Sequence, residues 1–234
     1  MQGKTAVICS AILAAGVIVM GFAMKAGIDN FVNKDRQVTV RGLCEKEVKA
    51  NKVTWPIVTK EVGNDISALY TKIESTNRTI VNFLKANGIS DDEISVNAPD
   101  VYDNAAERYA TQTPYRYMVT NVVVVTSSQI EKVQELMNRQ TELLREGVAV
   151  IAGDYNYRTL YEYTSLNSIK PEMIAEATAA AREAADKFAE DSGSDLGRIN
   201  TASQGQFSIE DRDQYTPQIK TVRVVTYITY SLED

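Results

Sequence analysis

The chain is predicted to be an α+β protein: an N-terminal transmembrane helix followed by a mixed, mainly antiparallel sheet domain with about three helices. Three observations predict it. Ala6 to Met24 reads AVICSAILAAGVIVMGFAM, about nineteen residues without a charge, close to the roughly twenty needed to cross the hydrocarbon core of a bilayer. Apolar residues recur near helical spacing over residues 64–87, 128–147 and 172–191. Runs of β-branched and aromatic residues stand between and after them, YRYMVTNVVVVT at Tyr115 to Thr126 and IKTVRVVTYITYSL at Ile219 to Leu232.

The apolar run is expected to be an uncleaved signal-anchor over residues 1–25. A cleaved signal has a shorter apolar core followed by a small-x-small site, whereas this run is longer and Lys25 directly follows Met24. Cleavage near Gly21 to Ala23, releasing a secreted periplasmic body, is the alternative. A lipoprotein signal is discarded, because Val7 and Ile8 rather than small residues precede Cys9 inside the run. By the positive-inside rule, Lys4 before the span and Lys25, Lys34 and Arg36 after it favour a cytoplasmic C-terminal body. Residues 26–36 read as a short mixed connector and residues 37–234 as the folded body.

The 234 residues carry a formal charge of −6 with acids and bases interspersed, which argues against a nucleic-acid partner. Histidine is absent, which excludes Ser-His-Asp and Cys-His arrangements and any zinc site that uses imidazole. Of the two cysteines, Cys9 lies in the apolar run and Cys44 in the body, so a disulfide between them is geometrically implausible. Cys44 reads as a small buried residue, with an intermolecular bond as the lesser reading.

Within the body, Val38 and Val40 alternate along the first strand, Gly42 interrupts it, and a second extended run reaches from Glu45 to about Val62. Its parity slips near Asn51-Lys52, where a bulge would restore the buried face, and Pro56 places that portion at a sheet edge or bend. Ile66, Leu69, Tyr70, Ile73, Ile80, Phe83 and Leu84 make helix one, closed by Gly88. Ser90 to Glu93 form a polar turn leading into a strand from Ile94 to Asn97. Asp100 to Thr113 is an extended connection, and Tyr115 to Thr126 a central strand. Helix two spans Ser128 to Gly147, capped by Ser127 or Ser128, with Ile130, Val133, Met137, Leu143 and Leu144 inward. A strand from Tyr155 to Tyr163 follows. Pro171 opens helix three, whose stripe is Ile174, Ala177, Ala181, Ala185 and Phe188. That alanine face suits tight packing on the sheet, or alternatively an oligomer contact. Two further strands cover Arg198 to Ile209 and Ile219 to Leu232.

No catalytic, cofactor-binding or metal-ligating residue is singled out, and no cofactor is expected. The acids of Ser90 to Glu93 lack the ligand order of a calcium loop. Glu210, Asp211 and Asp213 are the best candidate for carboxylate acid-base chemistry, but Ser208, Arg212 and Gln214 beside them suggest a solvated hairpin tip. Tyr102, Tyr109, Tyr115 and Tyr117 either line a recognition surface or cover a sheet face. Lys46, Lys49, Lys52 and Lys60 partly protect the strands around Pro56 against pairing with a neighbour.

Four stretches in this order resemble the SIMPL-domain family of bacterial periplasmic immunogenic proteins: VTVRGLCEKEVKANKVTWPI, LKANGI, AEATAAAREAADKFAEDSGSDLGRI and VRVVTYIT. The resemblance implies an extracytoplasmic α+β domain of unassigned activity, with oligomeric, ring-like assembly in some members, and supplies no catalytic residues. It sets the body outside the cytoplasm, against the charge count. Cys44 departs from the small residue, such as alanine, more usual there. The expectation is therefore a non-catalytic cell-envelope protein of the bacterial inner membrane. It is single-pass through Ala6 to Met24, its C-terminal domain is periplasmic, and it works as a homo-oligomer or by binding a partner. A carboxylate-dependent envelope enzyme is the alternative.

Overall fold

A computed structural model describes residues 2–33, 36–106 and 114–233, with backbone alone for residues 2–12 and 29–33. The chain begins with helix α1 (Gln2–Asn33), which runs on through most of the expected connector. From Leu13 to Ile28 every side chain is exposed, with Leu13 at 69% and Phe22 at 72%. Among the described residues no helix is long and apolar enough to cross a membrane. The side chains from Ala6 to residue 12 lie outside the described set, so the expected span Ala6 to Met24 falls partly outside it.

The strands are β1 (Gln37–Lys49), β2 (Lys52–Gly63), β3 (Ile94–Val96), β4 (Asp100–Asp103), β5 (Tyr117–Ser127), β6 (Val150–Ile151), β7 (Leu160–Glu162), β8 (Asp195–Gln204), β9 (Ser208–Asp211) and β10 (Ile219–Glu233). Helices α2 (Ile66–Ala86), α3 (Ile130–Asn138), α4 (Thr141–Arg145) and α5 (Leu166–Ser192) complete the α+β body. It resolves into two compact units, one of Met1–Lys46, Asn167–Ser208 and Val222–Asp234, the other of Glu47–Leu166 and Ile209–Thr221.

In the first unit β10 lies between β1 and β8. Leu232 N donates to Arg36 O, Thr39 Oγ1 meets Thr229 Oγ1 and Arg223 pairs with Glu45, partners that step oppositely along β1 and β10 as antiparallel strands require. Helix α5 packs here through Ala181 and Ala185 against Val40, Ile228 and Tyr230. Gly42 does not interrupt β1. A Cβ there would stand 1.8 Å from Ala177 O and 2.5 Å from Ala181 N, so glycine is what lets the helix approach. The buried stripe of α5 is Met173, Ala177, Ala181, Ala185 and Ala189, with alanines where the helix passes closest to Gly42, whereas Phe188 is exposed. Pro171 sits inside α5 rather than opening it, for the helix already begins at Leu166.

In the second unit β5 is central, flanked by β3 and β4 on one side and by β2 on the other, and β6 and β7 pair with the far edge of β2. Val53, Trp55 and Ile57 of β2 share a face with Val123 and Val125 of β5. Onto that face pack Ile80, Phe83 and Leu84 of α2, Ile130, Val133 and Leu136 of α3, and Leu143 of α4. Helix α2 starts at Asp65, whose carboxylate accepts from Ser67 N and Ala68 N at 2.8 and 3.2 Å, and Gly88 closes it at φ 81°.

Several expectations are corrected. The parity slip near Asn51 is no bulge but the turn between β1 and β2. There Asn51 Oδ1 accepts from Thr164 N and Thr164 Oγ1, and Asn51 Nδ2 donates to Ser165. The expected single helix over residues 128–147 is two, α3 and α4, broken at Arg139 and Gln140, with Leu144 exposed rather than inward. Neither Ser127 nor Ser128 caps it; the N-cap is Gln129, whose amide donates to Ser127 Oγ. The strand expected over residues 155–163 shrinks to Leu160–Glu162. Tyr109 lies outside the described residues.

Glu93 ties the turn after α2 to the end of β5. Its carboxylate accepts from Ser90 N at 3.0 Å, Ser90 Oγ at 2.7 Å and Ser127 Oγ at 2.5 Å. The Ser127 hydroxyl and then the Ser90 amide hold its carboxyl down at about 2, from an ordinary 4.5. A carboxyl depressed on folding stabilises above its unfolded value and loses that contribution as pH falls through its folded one. Glu93→Gln is therefore expected to cost about 1–2 kcal/mol at pH 7. That deficit should shrink between pH 4.5 and about 2 in urea melts taken across that range. A deficit independent of pH would contradict the account.

Candidate functional site

Among the described residues, a cleft of about 410 Å³ opens in the second unit. It arises from a gap in strand pairing. β2 pairs with β7 at Lys52–Thr54 and with β6 at Val58 and Thr59, leaving Trp55, Pro56 and Ile57 without a partner on that edge. Pro56 has no N–H to offer a ladder, and the chain between β6 and β7 loops out instead. The expectation of an edge at Pro56 thus holds locally, although β2 itself is paired on both sides.

Trp55, Pro56, Met137 and Val150 supply apolar lining, and Gln140, Asp154, Tyr155, Tyr157, Arg158 and Thr159 the more polar part. Trp55 is 5% exposed. Asp154 accepts from Asn156 N at 3.0 Å and from Lys60 Nζ at 3.4 Å, contacts that hold its carboxyl below the usual range, the Asn156 amide foremost. The Arg158 guanidinium lies 3.7 Å from the centre of the Tyr155 ring. These residues come from three separated stretches of chain. The crowding of tyrosines over residues 155–163 was the only signal in the sequence, and it did not point to Trp55.

A second feature is the sheet face opposite the helices. Val62, Met118 and Tyr102 form one row across β2, β5 and β4, Val58 stands beside Ile151, and Thr54 beside Leu160. Val62, Tyr102, Ile151 and Leu160 are exposed, whereas Val58 and Val122 on the same face are buried and Met118 is half-buried. The lysines nearby are engaged within the chain, Lys52 with Glu162 and Lys60 with Asp154, so they do less to guard an edge than their spacing suggested.

The three acids weighed for chemistry do not converge. Asp211 pairs with Lys220, which is buried, while Asp213 binds Arg212, Thr216 and the amide of Tyr215. The Thr216 hydroxyl, then Arg212, hold the Asp213 carboxyl far below its usual range, where it stays ionised and is a poor proton donor. Glu210 is exposed. Among the described residues no group of three or more His, Cys, Asp or Glu is placed to hold a metal ion.

Cys44 is buried in β1 and donates from Sγ to Glu176 at 3.0 Å. Burial, and secondly that hydrogen bond, push its thiol up to about 11. The thiolate is the reactive form, so in a Cys9→Ser protein alkylation of Cys44 at pH 8 should run at least about a hundredfold slower than that of a free thiol until the fold is melted. Rapid labelling of the folded protein would contradict this reading.

A family model described as SIMPL, a protein of unknown function (DUF541), matches residues 38–229. The chain belongs to the SIMPL family. No curated protein matches it. The SIMPL match opens in β1 and closes in β10, so it takes in both compact units. Two of its resembling stretches meet in space: the glycine of VTVRGLCEKEV is the residue against which the alanines of AEATAAAREAA pack. Cys44 stands two residues beyond Gly42 on the same face of β1, so its side chain also turns toward α5, where Glu176 receives it.

Proposed function

We propose that this SIMPL protein is a membrane-tethered, non-catalytic module of the bacterial cell envelope that works by assembling with copies of itself or by holding a partner. The observation that carries the reading is α1. From Leu13 onward its large apolar side chains, Val17, Val19, Met20 and Phe22 among them, are exposed, and a helix apolar on all faces needs a non-aqueous environment. The run Ala6 to Met24, at about 1.5 Å per residue, is near the thickness of a bilayer core. On this reading the protein is single-pass in the inner membrane with its body in the periplasm; a cleaved, periplasmic form is the alternative. Exposed Val62 and Tyr102, on the sheet face of the second unit opposite its helices, support assembly, since exposed apolar groups mark interaction sites. Anchoring in one bilayer would also raise the effective concentration of weakly self-complementary bodies. The carboxylate-enzyme alternative loses ground because Asp211 and Asp213 are each committed to a cation.

The test of assembly is mass photometry on the detergent-solubilised full chain across concentration. A mass that is a multiple of the 25.9 kDa protomer is expected. A strictly monomeric protein would remove self-assembly and leave partner binding.

A further inference from the structure

Beyond tethering and assembly, we propose that the cleft between β6, β7 and the open edge of β2 binds a small organic anion: a carboxylate on an apolar, ring-sized body. Its volume of about 410 Å³ falls in the range of small-molecule sites. Its chemistry is divided. Trp55, Pro56, Met137 and Val150 offer a floor that prefers an apolar body, and Trp55 is itself buried.

The charge at the mouth selects the head group. Asp154 already has Lys60 and the amide of Asn156, so its negative charge is answered within the chain. Arg158 has no acid paired with it among the described residues; its guanidinium carbon lies over the Tyr155 ring, 3.7 Å from the ring centre. A cation held over a ring keeps its N–H donors for other partners, and a guanidinium grips a carboxylate with two hydrogen bonds. The unanswered charge in the cleft is positive, in a chain whose net charge is −6. Gln140, Tyr157 and Thr159 add neutral polar groups around the opening. The cleft persists because Pro56 cannot complete a ladder across the gap, so β6 and β7 do not merge into one strand over it.

Trp55 is the chain's only tryptophan, so its fluorescence reports occupancy of the cleft. The full chain in a non-aromatic detergent is titrated with phenylacetate, phenylacetamide and phenethylammonium, each up to about 10 mM, with calorimetry as a second readout. Phenylacetate is expected to give a saturable change, with affinity at least about tenfold above the neutral amide and the cation. Arg158→Gln should weaken phenylacetate by about tenfold and abolish its advantage over the amide, with the melting temperature unchanged because Arg158 is exposed. The proposal is overturned by the absence of saturable binding in both readouts. It is equally overturned by equal affinity for the amide, or by an Arg158→Gln protein that still prefers the acid. None of these results bears on tethering.

Discussion

Gly42→Ala is expected to destabilise the first unit by about 3 kcal/mol or more, at the upper end of what overpacking costs. The added methyl would meet Ala177 O at 1.8 Å and Ala181 N at 2.5 Å, both backbone atoms of α5, with Ala181 Cβ at 2.8 Å. Backbone cannot swing aside as a side chain does, so β1 and α5 must separate. Ala177, Ala181 and Ala185, all fully buried, would then lose the packing their size was suited to. Ala181→Gly should not rescue the variant, since it removes only one of the three clashes. Urea melts of the single and double variants check this. Near-normal stability of Gly42→Ala would mean that the helix does not lie so close to the strand.

The second large effect is expected at the β9–β10 hairpin. Lys220 is buried, its side chain 9% exposed, and Asp211 is its ion-pair partner. Removing the acid by Asp211→Ala strands a cation in a poorly solvated place and is expected to cost about 2 kcal/mol. That is below the full cost for a buried pair, because Asp211 is itself half exposed. Adding Lys220→Met should recover most of the loss, for an apolar side chain of similar length has no charge to leave unpaired. A double-mutant cycle by thermal melting measures the coupling. If Asp211→Ala alone is neutral, the pair does no structural work and the acid's role must be sought elsewhere.

Much of the fold was legible because local pattern and tertiary role agree. The alternation of IKTVRVVTYITY survives as β10, where Val222, Val224, Ile228 and Tyr230 are buried in turn. Helix α2 forms where the apolar spacing placed it and buries Leu69, Ile73, Ile80, Phe83 and Leu84, while Ile66 and Tyr70 of the same set stay exposed. What misled were residues whose meaning depends on a distant partner. Gly42 reads as a break until α5, from another part of the chain, is laid against it. Phe188 reads as core by hydrophobicity, yet Ala189 is the one buried, because the face α5 turns to the sheet runs through Ala181, Ala185 and Ala189 and leaves Phe188 off it. The gap at Arg139 and Gln140 is hidden by good helix formers on both sides, while Arg139 pairs with Glu135 and Glu142. The cleft was illegible for the same reason: Trp55, Met137 and Arg158 share no local pattern, and only the failure of strand pairing at Pro56 brings them together.

Retention of the N-terminal helix is the central claim, and the intact mass of the protein recovered from carbonate-washed membranes tests it most directly. The account predicts that the full Ala6 to Met24 run remains attached and that the protein stays in the membrane pellet. A mature N-terminus between Ala23 and Asp35, on protein found in the soluble fraction, would contradict it.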